Sequence, residues 1–176
     1  ETAKRYLAVL DSSRERTQPG ILLPIDPIAS GRMAPAIPPM QIGHFLSLCD
    51  STGMLQHATH SVANRVHGYC VDDNARALLF SSALSNSGEA QLSDTVTSRF
   101  AACIQHAWNP DTRRFRNFMS YDRRWLEESG SEDSHGRTLW ALAVCACEDT
   151  DPSRRRWAAA LFKTAMKQLA PRHGLS

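Results

Sequence analysis

Apolar residues recur at helical spacing along most of this chain, and polar or proline-bearing segments interrupt them. The clearest run begins at Asp72 and continues to about Ser85, where Asn86-Ser87-Gly88 stops it. A second runs from about Leu92 to Trp108, with Val96, Phe100, Cys103, Ile104 and Ala107 on one face, and Asn109-Pro110-Asp111 closes it. Two more helices are predicted, from about Asp133 to Glu148 and from about Pro152 to Leu169, the proline suiting a first helical turn. Ile42, Phe45, Leu46, Leu48 and Cys49 predict a shorter one that ends near Asp50-Ser51-Thr52-Gly53. Tyr6, Leu7, Val9 and Leu10 predict an amphipathic helix within Glu1 to Arg16.

Other stretches break the helical pattern. Pro19, Pro24, Pro27, Pro35, Pro38 and Pro39, with Gly20 and Gly31, exclude regular helix and central strand from residues 17–40. Residues 1–39 therefore read as an N-terminal helix and a Pro-rich arm, and residues 40–176 as the main domain. Met54 to Tyr69 has no clean periodicity and predicts a long loop. The aromatic-rich Phe115 to Trp125 predicts a β-hairpin or extended excursion.

One segment echoes another. Asp72-Asp73-Asn74-Ala75-Arg76-Ala77-Leu78 returns 61 positions later as Asp133-Ser134-His135-Gly136-Arg137-Thr138-Leu139. Each copy follows a polar or turn-like stretch and opens an apolar run. Carboxylates are favoured there by free N–H groups and the positive end of the helix dipole. The copies predict equivalent helix starts, with charged groups gathered at one end of a repeating array. The fold expected from this is all-α: helical hairpins forming part of an (α/α)6 toroid, with a small β-hairpin excursion. Six pairs at this repeat length need more than twice the residues present, so the array is expected to be incomplete: an open half-structure, one completed by a second chain, or a cut fragment.

Composition narrows the function. With 42% hydrophobic residues, 22% charged residues and a net charge of +2, the chain carries no field that calls for nucleic acid or an anionic membrane. Arg113-Arg114 and Arg154-Arg155-Arg156 read as solvated helix face or loop. No apolar run approaches the roughly 20 residues of a membrane span, and no signal-peptide core is present at the N-terminus. Five cysteines without CxxC pairing fit a reduced, cytoplasmic protein. His57, His60, His67 and Cys70 match no zinc spacing, so neither metal nor cofactor is expected.

Three runs carry a resemblance: Asp50-Ser51-Thr52-Gly53-Met54-Leu55-Gln56-His57, then His67 to Leu78, then Ser131 to Leu142. Together they resemble a bacterial helical domain that commonly lies C-terminal to a retaining-type, nucleotide-sugar glycosyltransferase module. That domain groups with the six-hairpin, glycosidase-like toroids. The resemblance covers roughly residues 40–150 and implies carbohydrate handling, with a glycoconjugate as partner and a glycosyltransferase module alongside. The later hairpins of that family are absent from this chain.

On that implication, Asp72, Asp73 and Asp133 are the candidate catalytic or sugar-clamping acids, since glycoside cleavage needs two carboxyl groups across the scissile bond. Arg76, one turn on, holds Asp72 or Asp73 ionised. Asn74, His135 and Arg137 orient the ligand, and Gln56 and His57 supply hydrogen bonds to sugar hydroxyls. Tyr69, Tyr121 and Trp125 are candidate stacking platforms. Each has a plainer alternative: the acids as caps or local ion pairs, His135 as a satisfied polar residue, the aromatics as plugs onto the core. Three functions remain open: a carbohydrate-active domain with an acidic cleft, a non-catalytic glycan-binding or docking module, and a helical scaffold.

Overall fold

The computed structural model describes residues 40–87 and 92–167. The expected first helix, the Pro-rich arm and the end of the last helix lie outside those residues. Among the described ones the chain is mixed α/β, with 55% in helices and 19% in strands. The all-α toroid expectation is therefore corrected.

A one-turn helix α1 (Gly43–Ser47) leads to strands β1 (Leu55–Thr59) and β2 (Val62–Cys70), and β2 passes directly into helix α2 (Val71–Ser87). Helix α3 (Asp94–Ala107) is followed by three two-residue strands, β3 (Trp108–Asn109), β4 (Arg114–Phe115) and β5 (Phe118–Met119). Helices α4 (Glu132–Glu148) and α5 (Pro152–Met166) complete the described chain. Strands β1, β2 and β5 form one antiparallel sheet in that order, and β3 pairs with β4 alone.

The expected long loop at Met54 to Tyr69 is thus a hairpin. Thr59 pairs with Val62 around His60, which takes a positive φ of 55°. Only its base is buried, at Leu55 and at Gly68, Tyr69 and Cys70; the rest of both strands is partly or fully exposed. A ribbon with no buried face has no reason to alternate apolar and polar residues, so its sequence reads as a loop. The Phe115 to Trp125 excursion turns back on itself, with Met119 bridged antiparallel to Trp125 and Ser120 N–H donating to the Arg124 carbonyl at 2.9 Å. Its two short strands also pair outward, β4 with β3 and β5 with β2. Gly68, at φ +64°, permits the second pairing, because a Cβ there would collide with the Met119 carbonyl.

The long helices form where the pattern predicts, and three carry a side-chain cap. Ser93 accepts from Val96 N–H, Ser131 from Ser134 N–H, and Asp151 from Ser153 N–H. Helix α2 is fastened at its start by a distant residue. Its Val71 N–H donates to the Asn117 carbonyl at 2.8 Å, and its Asp72 N–H donates to the Asn117 Oδ1 at 3.0 Å. Helix α2 packs against α3 and α4, and α4 packs against α5. The core between them includes Leu78, Leu84, Phe100, Ile104, Phe115, Leu142 and Leu161. Leu55, Tyr69, Cys103 and Met119 form a smaller cluster under the sheet.

Arg154 departs from the solvated reading of the arginine run. Its side chain is 8% exposed and meets Asp149, itself 4% exposed. No helix among the described residues is long and apolar enough to cross a membrane.

Candidate functional site

The two echoed segments open neighbouring helices, and their charged side chains meet. Arg137 reaches back one turn, its Nη2 donating to both Asp133 oxygens at 2.8 Å. The same guanidinium crosses to α2, with Nη1 donating to Asp72 Oδ2 at 3.3 Å. Its Nε lies 3.1 Å from Asp72 Oδ1, an ion pair without hydrogen-bond alignment. Arg76 closes the chain, 2.9 Å from Asp72 and 3.6 Å from Asp73. The sequence Asp73–Arg76–Asp72–Arg137–Asp133 thus alternates in charge across the seam of the two helices. The two i,i+4 pairs, Arg76–Asp72 and Arg137–Asp133, each include one exposed side chain and contribute only about 0.3–0.5 kcal/mol, so they position side chains more than they stabilise the fold.

Burial pushes the Asp72 carboxyl above the usual carboxylate range, with Arg76 opposing and the nearby Asp133 charge adding to the rise. Asp73 is raised for the same first reason, against Arg76 and with Asp72, while His57 and a bond from Cys70 pull it down. His57 therefore lies near the network. It is exposed on β1 with its ring 4.6 Å from that of His67. Gln56 is half-buried on the same strand.

An open groove of about 540 Å³ runs beside this network, lined by Arg76 and Leu79 of α2 and by Asp133, Gly136, Arg137 and Trp140 of α4. Trp140 is 61% exposed on its wall. A Cβ built on Gly136 would meet nothing within 4 Å, so no packing contact in the fold requires a glycine at the floor. Sequence reasoning missed both residues. Projection of α4 finds them, because 133, 136, 137 and 140 share a face at three- and four-residue spacing.

The other candidates stand elsewhere. Asn74 is fully buried and clips the Met54 backbone, accepting from its N–H at 2.8 Å and donating to its carbonyl at 3.1 Å. His135 turns into the core, its ring 5.4 Å from Phe115 and its Nδ1 accepting from Phe115 N–H at 3.5 Å. Tyr69 is 2% exposed and donates to Asp50 at 2.6 Å. Its hydroxyl is pushed up to about 12 by burial and that bond. Tyr121, half exposed, stacks on Tyr69 at 6.3 Å under Arg65. Trp125 is half-buried between His106 and Arg116. Among the described residues, no group of three or more His, Cys, Asp or Glu side chains could hold a metal ion.

Asn117 is the residue that brings the two helix starts together, and the sequence reading did not single it out. Besides the bonds to Val71 and Asp72, its Oδ1 accepts from the Ser134 hydroxyl at 2.8 Å and the Cys70 thiol at 3.3 Å. One carboxamide therefore fastens the first turns of α2 and α4 to a single point.

The buried His135 makes stability depend on pH. Burial lowers its pKa below the usual 6.5, Arg114 lowers it further, and Glu132 opposes both. The unfolded chain therefore binds this proton more readily. Stability from the neutral ring is complete above pH 6.5 and is lost as pH falls toward the folded pKa. The urea midpoint is expected to fall between pH 7 and pH 5, and less steeply in His135→Gln, at about 1.4 kcal/mol per pH unit of lowered pKa. Identical slopes in the two proteins would show that His135 titrates normally.

No protein-family model, curated protein or solved structure matches the chain.

Proposed function

We propose that the groove between α2 and α4 is a carbohydrate-binding site, in a module that holds a glycan for a neighbouring glycosyltransferase. The observation that carries this reading is the pairing of an exposed Trp140 with the Asp72–Arg137–Asp133 ion-pair chain across the open floor at Gly136. A pyranose has an apolar C–H face and a rim of hydroxyls. An aromatic ring takes the face, and fixed charged groups take the hydroxyls in directed, charge-assisted hydrogen bonds. Glycine at the floor lets the ring approach the helix backbone. The resemblance of the three sequence runs to domains beside nucleotide-sugar glycosyltransferases agrees with this assignment.

Binding is favoured over hydrolysis between Asp72 and Asp133, because the Arg137 guanidinium occupies the space where a scissile bond would have to lie. One observation favours acid catalysis: burial raises the Asp72 and Asp73 carboxyls above the usual carboxylate range, against the lowering effect of Arg76.

Two substitutions separate binding from folding. Trp140→Ala removes an exposed side chain, so stability is expected to stay within about 0.5 kcal/mol while glycan affinity falls at least tenfold. Gly136→Leu is expected to raise helix stability by about 0.5–1 kcal/mol and to block the groove. Glycan-array binding beside thermal melts checks both, and released reducing sugar reports any turnover. Full affinity in Trp140→Ala would overturn the assignment.

A further inference from the structure

The groove has a neighbour of different character. A second hollow of about 360 Å³ is lined by Met40, Ile42, Phe45, Met54, Ala77 and Phe80, with Gln41, Asp73 and Arg76 at its polar side. Arg76 lines both. At 100° per residue, Leu79 falls on one side of Arg76 around α2, and Asp73, Ala77 and Phe80 fall on the other. The two hollows are therefore adjacent, divided by one side chain that is 54% exposed and held only by ion pairs one turn away.

The linings differ in what they can accept. Asp73 and Arg76 pair with each other, so beyond them the second hollow offers Phe, Met and Ile surface and one carboxamide. A sugar ring placed there would bury hydroxyls with few partners, at a cost of about 1–3 kcal/mol for each one unsatisfied. An alkyl or aryl group would instead gain about 25 cal/mol for each Å² withdrawn from water. Building on the carbohydrate assignment above, we infer that the ligand is an amphiphilic glycoside. Its sugar sits against Trp140, and its apolar aglycone crosses Arg76 to lie against Phe45, Met54 and Phe80.

The test uses matched methyl and octyl glycosides of glucose, galactose and mannose, the octyl series kept below micelle formation. Affinities are measured by isothermal titration calorimetry in every variant, and NMR at the Trp140 indole N–H follows binding in the proteins that keep that residue. For the sugar that binds, the octyl form is expected to bind at least tenfold more tightly than the methyl form. Met40→Asp, at a position 48% exposed, places a charge in the apolar hollow. It should abolish the octyl gain and leave methyl affinity unchanged. Trp140→Ala should weaken both series. Equal methyl and octyl affinities, or an octyl gain that survives Met40→Asp, would overturn this inference and leave the carbohydrate assignment standing. No response at Trp140 to either series would remove both.

Discussion

Arg154→Met is expected to lower the unfolding free energy by about 3–5 kcal/mol at pH 7, the cost of leaving a buried carboxylate without its partner. The guanidinium donates through Nε to Asp149 Oδ2 and through Nη2 to Asp149 Oδ1, each at 2.8 Å. It also donates to the Ser98 hydroxyl at 3.1 Å and to Asp94 at 3.2 Å. One side chain thus joins the C-cap of α4 to the start of α5 and the first turn of α3. Burial pushes the Asp149 carboxyl up, but the Arg154 bond, the Asp151 N–H and the Arg154 charge hold it below the usual range. Its stabilisation is therefore full above the unfolded value of about 3.9 and lost as pH falls through the folded one. Without Arg154 that protection goes and Asp149 protonates more easily, so the penalty should be smaller near pH 4 than at pH 7. Arg154→Met combined with Asp149→Asn should recover part of the loss, since no unpaired charge remains. Urea denaturation of the three proteins checks this, and a single-variant cost below about 1 kcal/mol would mean that the pair is screened.

Asn117→Ala is expected to cost about 2–4 kcal/mol, because it orphans the part-buried Asp72 N–H and the buried Ser134 hydroxyl together. Its second effect is local. With the shared acceptor gone, α2 and α4 are no longer fastened at one point, and the Asp72–Arg137 contact should loosen. The Arg137 Nε–H resonance reports that contact directly. Asn117→Asp keeps an acceptor between two helix N-termini and should cost less. A loss below about 1 kcal/mol in Asn117→Ala, with the Arg137 signal unmoved, would show that the helix starts are held by packing alone.

These two side chains also mark where sequence reasoning stops. The long helices were legible because an amphipathic helix writes its buried face at three- and four-residue spacing, and Ser93, Ser131 and Asp151 sit where caps belong. The local ion pairs were legible as well, since each arginine lies four residues after an acid on its own helix. Local rules said nothing of which arginine would cross the seam; it is Arg137. The hairpin at Leu55 to Cys70 was illegible because burial acts only at its base. His135 and Asn74 sit in polar runs yet point inward, a choice made by Phe115 and Met54 in distant segments. Arg154 lies in a basic run whose neighbours are exposed, and its partners come from three helices' ends.

The tertiary capping of α2 bears on the order in which the molecule forms. Ser134 lies 17 residues from Asn117, whereas Asp72 lies 45 away. Closing the longer segment costs more chain entropy, and non-local contacts of this kind slow folding. During synthesis the acid-bearing end of α2 leaves the ribosome well before its cap exists. Helical signal should therefore accumulate first on refolding, with burial around Asp72 following as a later kinetic phase.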